Sequence, residues 1–466
     1  MTTFAQELAN RATSLRLEAM PSETFHIARR AIADTIGVAL AGAGAPFIDA
    51  LETVLEPDAA RAQAGLWGRG QRGSVLHAAL INGTAAHALD FDDCSTTMGG
   101  HPSAPILPAV LALAEARDLP VGQAVEAYVT GFEVETRLAR GVLPWHYEKG
   151  WHPTATLGVF GAAAASARLS GFDAERMTTT LAVAISMASG LKSNFGTPVK
   201  PLHVGQAAHN GLLAALVTER GMTANPAAFE HNYGFFNLFN SPNGPLDEKT
   251  YAPEAVLADW DGMPEILSPG IAIKQHPCCG SAHSAIDAAL KLVAKHGVFA
   301  PDAIAAIDTW THQRRLAHTN RHDPKTGLDA KFSVQFLTAK ALTSGQIRLA
   351  DFNGVFRTPE IEMLLPRVTA HAHDEADQYR GRVRVTLANG DVLEDEASTN
   401  FGRGPLNPMS DEELCRKFVD CAEPLLGARA ADVFGDILAL KPQDSLRPVL
   451  SAISEVRGEK KGKGGH

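Results

Sequence analysis

Residues 82–115 read NGTAAHALDFDDCSTTMGGHPSAPILPAVLALAE, and the rest of the chain is organised around them. Three carboxylates, Asp90, Asp92 and Asp93, end one apolar helical run. A loop containing Gly99 and Gly100 follows, and His101-Pro102-Ser103 opens the next run, with Ser103 or the residue before it able to cap it. Such a loop collects an acid, an imidazole and free helix N-terminal amides, the parts needed to hold an anion and move a proton. The same residues also have an ordinary reading, as solvated carboxylates at a helix end and a histidine at a helix start.

Outward from this stretch the spacing is helical. Phe25, Ala28, Ile32, Ile36 and Leu40 recur three and four apart behind Pro21 and Ser22, and Gly42 and Gly44 close the run. The same periodicity predicts helices over Val75–His87, Ile106–Glu115, Val121–Arg140, Thr154–Leu169, Ala174–Ser189 and Val204–Glu219, with almost no strand-like alternation between them. Residues 1–268 are expected to form the first part of a helical domain.

From residue 269 the character changes. A loop rich in His, Pro, Cys and Gly, Lys274–Gly280, leads into a helix over His283–Lys295 and a strand-like segment at Ile304–Trp310. Asp329 reads as the N-cap of a helix reaching Leu342. Val383, Val385 and Leu387 then alternate with Arg382, Arg384 and Thr386, and Asn389-Gly390 signals a type I′ turn into a return strand over Val392–Glu396. Residues 269–402 read as an α+β module. Beyond the link Gly402–Pro408, Ser410 and Glu413 make a capping box, and residues 403–456 are helical again. The expected fold is mostly α: a large all-helical domain built from both chain ends with a smaller α+β domain inserted. A cleft between the two would be the natural ligand site. The Gly- and Lys-rich residues 457–466 read as a disordered tail.

Composition narrows the class. With 466 residues, 45% apolar and 20% charged, the chain has ordinary globular composition. Its net charge is −10 and no long basic stripe is visible, which argues against nucleic acid as a partner and requires local cations for any anionic ligand. Five cysteines (Cys94, Cys278, Cys279, Cys415, Cys421) show no CxxC spacing, so neither a disulfide framework nor a zinc or iron–sulfur site is signalled, and a reducing compartment fits. Met1–Leu15 lacks the apolar segment of a signal peptide, and the Ala-rich runs are shorter than the roughly 18 residues of a membrane span. A cytoplasmic protein without membrane contact is expected.

Other residues repeat the logic of the first loop. Gly150-Trp151-His152-Pro153-Thr154 again sets a histidine just before a helix. A lone histidine of this kind is more often a capped or core residue, but its recurrence points to function. The loop Lys192–His203 brings Lys192, Lys200 and His203 between buried segments, where a lysine can clamp a carboxylate. Lys274, His276, Cys278 and Cys279 lie on the first loop of the inserted module; adjacent cysteines do not ligate one metal comfortably, so they read as packing or pocket-lining groups. Tyr147 and His146 offer a weaker phenol and imidazole. Neither Walker spacing nor a GxGxxG after a strand is present. Asp90, His101, His152, Lys200 and Lys274 together suit proton abstraction next to a carboxylate, a step that needs no redox cofactor or acyl nucleophile.

The runs AHALDFDD and GHPSA, GWHPTATLGVFGAAAA, SNFGTPVKPLHVGQAAHNG, KQHPCCGSAH and DAKFSVQF, in this order, resemble the MmgE/PrpD family over about residues 10 to 450. That family includes 2-methylcitrate dehydratase, cis-aconitate decarboxylase and iminodisuccinate epimerase. The resemblance implies a helical domain with an α+β lid, a homodimer, a small polycarboxylate substrate, and catalysis without a metal or organic cofactor. It implies Asp90, His101, His152 and Lys200 as catalytic residues and Lys274, at the lid hinge, as a carboxylate-binding one; from their loops, Cys94, Cys279, His203 and Tyr147 are expected beside the substrate as well. The decarboxylase branch has Thr where this chain has Cys94 and His where it has Cys279. A 2-methylcitrate-dehydratase-like hydro-lyase is therefore expected first, an amino- or imino-diacid epimerase second and a decarboxylase third. A helical dimer that only binds a polycarboxylate is the non-catalytic alternative.

Overall fold

The computed structural model describes residues 2–55, 62–240, 250–398 and 402–456, so the expected tail lies outside the described residues. The protein is mostly α-helical. It divides into two compact units, one made of Met1–Ile271 with Met409–His466 and the other of Ala272–Pro408.

In the first unit the helices run α1 (Phe4–Ser14), α2 (Glu23–Gly42), α3 (Pro46–Leu55), α4 (Val75–His87), α5 (Ser103–Arg117) and α6 (Val121–Val142). Two one-turn helices follow, α7 (Trp145–Glu148) and α8 (Pro153–Thr156), and then α9 (Gly158–Leu169), α10 (Ala174–Ile185) and α11 (Val199–Glu219). α5 is buried on every side from Ser103 to Glu115, as expected of a helix without a polar stripe. Small residues let its neighbours approach closely. A methyl group added at Gly83 of α4 would lie 3.0 Å from the Gly205 Cα of α11, and one at Gly211 would lie 2.7 Å from backbone atoms of α9. A separate aromatic core joins Phe4, Phe160, Phe229, Phe235 and Phe236.

Several expectations are corrected here. Strands β1 (Ala64–Leu66) and β2 (Gln71–Gly73) form an antiparallel hairpin inside the helical region, too short to show alternation. Asn82 straps it, accepting from Trp67 N and donating to Gly65 O, both at 3.0 Å. The expected Thr154–Leu169 helix breaks at Leu157 into α8 and α9, and α10 stops at Ile185 rather than Ser189. α11 begins at Val199 rather than Val204, because Pro201 falls in the first turn, where its missing N–H has no partner to lose. Lys200 and His203 are thus helical rather than loop residues.

The C-terminal part of this unit supplies helices Asp411–Leu426, Ala430–Ala439 and Arg447–Ser454, the first opened by the Ser410–Glu413 capping box. Phe418 packs against Gly37 of α2, and the Lys417 ammonium reaches Asp34 at 2.5 Å and the Phe91 carbonyl at 2.9 Å. That last contact holds the acidic run from behind.

The second unit carries a four-stranded sheet of β3 (Ile304–His312), β4 (Val368–His373), β5 (Arg380–Leu387) and β6 (Val392–Ser398) in the order β4-β3-β5-β6. β3 and β4 are parallel; the other pairs are antiparallel. Val383 and Val385 are buried in a core with helices His283–His296 and Val334–Ser344, while Arg382 lies over Trp310 on the opposite face at 4.0 Å. Two local readings fail. Asp329 sits inside the one-turn helix Gly327–Ala330, capped by Thr326, and Ser333 caps the long helix. Gly390 is left-handed but Asn389 is not, so the hairpin turn is not type I′; Leu387 N donates to Asp391 O across a three-residue loop.

Candidate active site

α4 ends at His87, and the chain reverses through Asp90, whose backbone is left-handed at φ 54°. Aspartate tolerates that conformation better than most residues because its short side chain can hydrogen-bond locally. The turn separates the three carboxylates. Asp90 faces α11, where Lys200 Nζ donates to its Oδ1 at 2.6 Å. Asp92 turns to two imidazoles, with its Oδ2 at 2.8 Å from His87 Nδ1 and 3.2 Å from His101 Nδ1. Asp93 reaches the start of α5, accepting from Ser103 N at 3.2 Å and from the Ser103 hydroxyl, which also meets Tyr128 Oη at 2.7 Å. The expected cap from Ser103 or Pro102 is therefore corrected: Asp93 satisfies the helix N-terminus from outside.

His101 is the hub of this group. Its backbone N donates to Thr154 Oγ1 at 3.1 Å, its Nε2 lies 3.5 Å from Asp90 Oδ1, and the Cys94 thiol lies 3.7 Å from its Nδ1. Its ring meets that of His87 edge-on at 4.5 Å between centroids, and His87 lies 5.8 Å from His152. His152 is buried, with Phe195 edge-on at 4.9 Å and His203 at 5.6 Å. Its Nδ1 has no hydrogen-bond partner among the described residues.

Burial sets the protonation states. It pulls the His87 imidazole down to about 4 in spite of the Asp92 carboxylate, and it pulls His152 well below its ordinary value. Burial would raise the Asp92 carboxyl, but the two imidazoles outweigh it and hold Asp92 well below the usual carboxylate range. Asp93 has no such cations. Burial, then the charge of Asp34, push it up to about 7, and Glu135 behind it, buried without a hydrogen-bond partner among the described residues, is pushed well up by the same cause. A carboxylate held ionised by the imidazoles thus neighbours Asp93, which keeps its proton to far higher pH than an ordinary carboxyl.

His87, Asp90, Asp92 and His101 offer ligand atoms within 4.8 Å of one another, and their types suit a divalent cation. Such a cation would have to displace the Lys200 ammonium from Asp90 and compete with both imidazoles for the Asp92 oxygen.

The first unit thus brings together Asp90, Cys94, His101, His152, Lys200 and His203 from the sequence reading. Tyr147 lies against Lys192, its carbonyl accepting from Nζ at 2.9 Å and its ring 3.4 Å from it. His146 is bound to Asn240 and Thr156 at 3.0 and 2.7 Å, a structural role. Lys274 and Cys279 belong to the second unit, Lys274 buried and Cys279 N donating to Lys331 O at 3.0 Å. Sequence reasoning missed His87, the shared role of Asp92, and Phe195. A histidine five residues before an aspartate was the one available signal, and only the turn at Asp90 makes the two meet.

Histidines, carboxylates and one lysine thus lie together on helix ends, side chains of the kinds that can hold an anion and exchange a proton. The MmgE/PrpD N-terminal domain matches residues 6–246 and the MmgE/PrpD C-terminal domain matches residues 276–440. The chain belongs to the MmgE/PrpD family. It is similar to the cis-aconitate decarboxylase of Mus musculus, 27% identical over 91% of this chain and 88% of that protein. It is 26% identical to the cis-aconitate decarboxylase of Aspergillus terreus, over 96% and 95% of the two chains, and to that of Homo sapiens, over 91% and 89%. Among the described residues no single helix is long and apolar enough to cross a membrane.

Proposed function

We propose that this protein is a lyase that moves a proton at a carbon next to a carboxylate of a small di- or tricarboxylate. The observation that carries the reading is the contact of Lys200 with Asp90 at 2.6 Å beside His101, with His152 two rings away. Lys200, poised by Asp90, neutralises a substrate carboxylate, which lowers the cost of charge developing at the adjacent carbon. His101 and His152 exchange the proton with the substrate, His152 starting as the neutral imidazole that its burial favours.

The names of the relatives bring cis-aconitate-type decarboxylation to the front, ahead of the dehydration expected first from the sequence. Both reactions share the proton step. Dehydration of a 2-methylcitrate-type substrate is the second reading, favoured by the Cys94 thiol at 3.7 Å from His101 in the position where the decarboxylase branch carries Thr.

Proton NMR in deuterated water with citrates, 2-methylcitrates, aconitates and amino diacids, on EDTA-treated protein, tests the reading. Lost carbon dioxide with deuterium in the product identifies a decarboxylase, a new alkene a dehydratase, and an inverted centre alone an epimerase. Lys200→Ala and His152→Ala should each lower turnover by on the order of 10²-fold or more. Unchanged turnover in both would remove this site from the reaction.

A further inference from the structure

The proposed roles leave Asp92 and His87 unused, although both are fully buried against His101. We propose that Asp92, held by His87, is the positioning carboxylate of His101: it fixes the Nδ1–H tautomer and leaves Nε2 as the atom that gives and takes the proton. This rests on the reading of His101 as an acid–base group, and nothing in that reading requires it.

An ionised carboxylate only accepts hydrogen bonds, so an imidazole nitrogen set against it must carry a proton. Asp92 Oδ2 faces Nδ1 of both rings, at 2.8 Å for His87 and 3.2 Å for His101. Both are therefore Nδ1–H donors, and the Nε2 of His101 is directed to Asp90, 3.5 Å away, on the side where Lys200 sits. His87 Nε2 has no hydrogen-bond partner among the described residues and is buried, which suits a neutral ring that donates once and titrates no further. His87 thus occupies Asp92 without neutralising it, and the full carboxylate charge is available to His101 when that ring takes up a proton. Other charged or titratable groups that face His101 among the described residues include Cys94 from the same loop, Asp90 and Lys200 from the polar side, and His152 beyond His87. Of these only the Cys94 thiol also reaches Nδ1, at 3.7 Å, and a thiol sulfur is a weak acceptor beside a carboxylate oxygen at 3.2 Å. The orienting carboxylate behind a catalytic imidazole, which selects its tautomer and stabilises its protonated form, is a recurrent device.

The test uses the full chain labelled with ¹⁵N-histidine, with the His101 signals assigned by their loss in His101→Gln. Long-range proton–nitrogen spectra of the wild type at neutral pH should show His101 as the Nδ1–H tautomer. In Asp92→Asn that tautomer should no longer dominate. Turnover of the substrate found in deuterated water should fall by on the order of 10²- to 10⁴-fold, with KM changed by less than about threefold. The acidic limb of the kcat profile should also move to lower pH, because the imidazolium loses its counter-charge. An Nε2–H tautomer in the wild type overturns the proposal without any variant. So does an Asp92→Asn enzyme within about threefold of wild type while Lys200→Ala is inactive. If Lys200→Ala is fully active, the site reading fails instead, and the tautomer alone still decides the pairing of Asp92 with His101.

Discussion

Asp90 has to satisfy a left-handed backbone and an ion pair at once, at φ 54° and 2.6 Å from Lys200. Asp90→Asn keeps the conformational tolerance and loses the charge, so it should fold like the wild type and lose turnover. Asp90→Ala should lose turnover and also be less stable than Asp90→Asn by about 1 kcal/mol, since a Cβ without a local hydrogen bond is strained there. Denaturant midpoints for the two variants measure the difference. Asp93 makes the opposite demand. Its carboxyl is pushed up to about 7 in the folded protein by burial and by Asp34, against about 3.9 in an unfolded chain. A raised carboxyl contributes stability that is fully present below the unfolded value and is lost as pH rises through the folded one. Between pH 4 and 7 the wild type should therefore lose stability relative to Asp93→Asn by about 1.4 kcal/mol per pH unit, levelling off above 7. Thermal unfolding of both proteins across that range checks the sign.

Helices in the first unit meet through glycine where an ordinary surface helix would use larger side chains. Gly→Ala inside a helix normally stabilises by about 0.5–1 kcal/mol, because glycine loses more backbone entropy on folding. Gly435, exposed in helix Ala430–Ala439 with open space at its Cβ position, should follow that rule. Gly211 of α11 should reverse it. An added methyl there meets Val159 O and Ala163 N at 2.7 Å, rigid backbone of α9, so Gly211→Ala should cost about 1–3 kcal/mol. Since α11 also carries Lys200, the same variant should lower turnover, whereas Gly435→Ala should not. The periodicity that announces these helices is plain in the sequence. Their ends are less so: α11 starts in a Pro-containing turn that reads as loop, and three-residue strands such as β1 carry too few positions for alternation to show.

At the scale of the whole molecule, the first unit is completed by residues from beyond the second. Lys417, from the C-terminal part, pairs with Asp34 of α2, and both side chains are almost wholly buried. Breaking such a pair by removing one partner leaves an uncompensated charge, so Lys417→Met should destabilise by about 3–5 kcal/mol, while Asp34→Leu with Lys417→Met should recover most of that loss. Denaturant unfolding of the three proteins separates the two outcomes. Lys417 also holds the Phe91 carbonyl, so the single variant should disturb the acidic run and depress turnover, linking the far end of the chain to the site.

By itself the sequence determined the helical class, the family, and the identity of the polar residues around residues 82–115, because apolar periodicity and side-chain chemistry are local properties. It also marked His101, His152 and Lys200 as separate candidates. Which carboxylate meets which imidazole was decided only in the tertiary structure. A single left-handed residue, Asp90, turns three consecutive-looking acids toward three different partners. Packing then drives neighbouring carboxyls in opposite directions: two imidazoles hold Asp92 down against its burial, while burial and another acid push Asp93 up. Neither result can be read from spacing, because both depend on the charges that packing brings within a few ångströms.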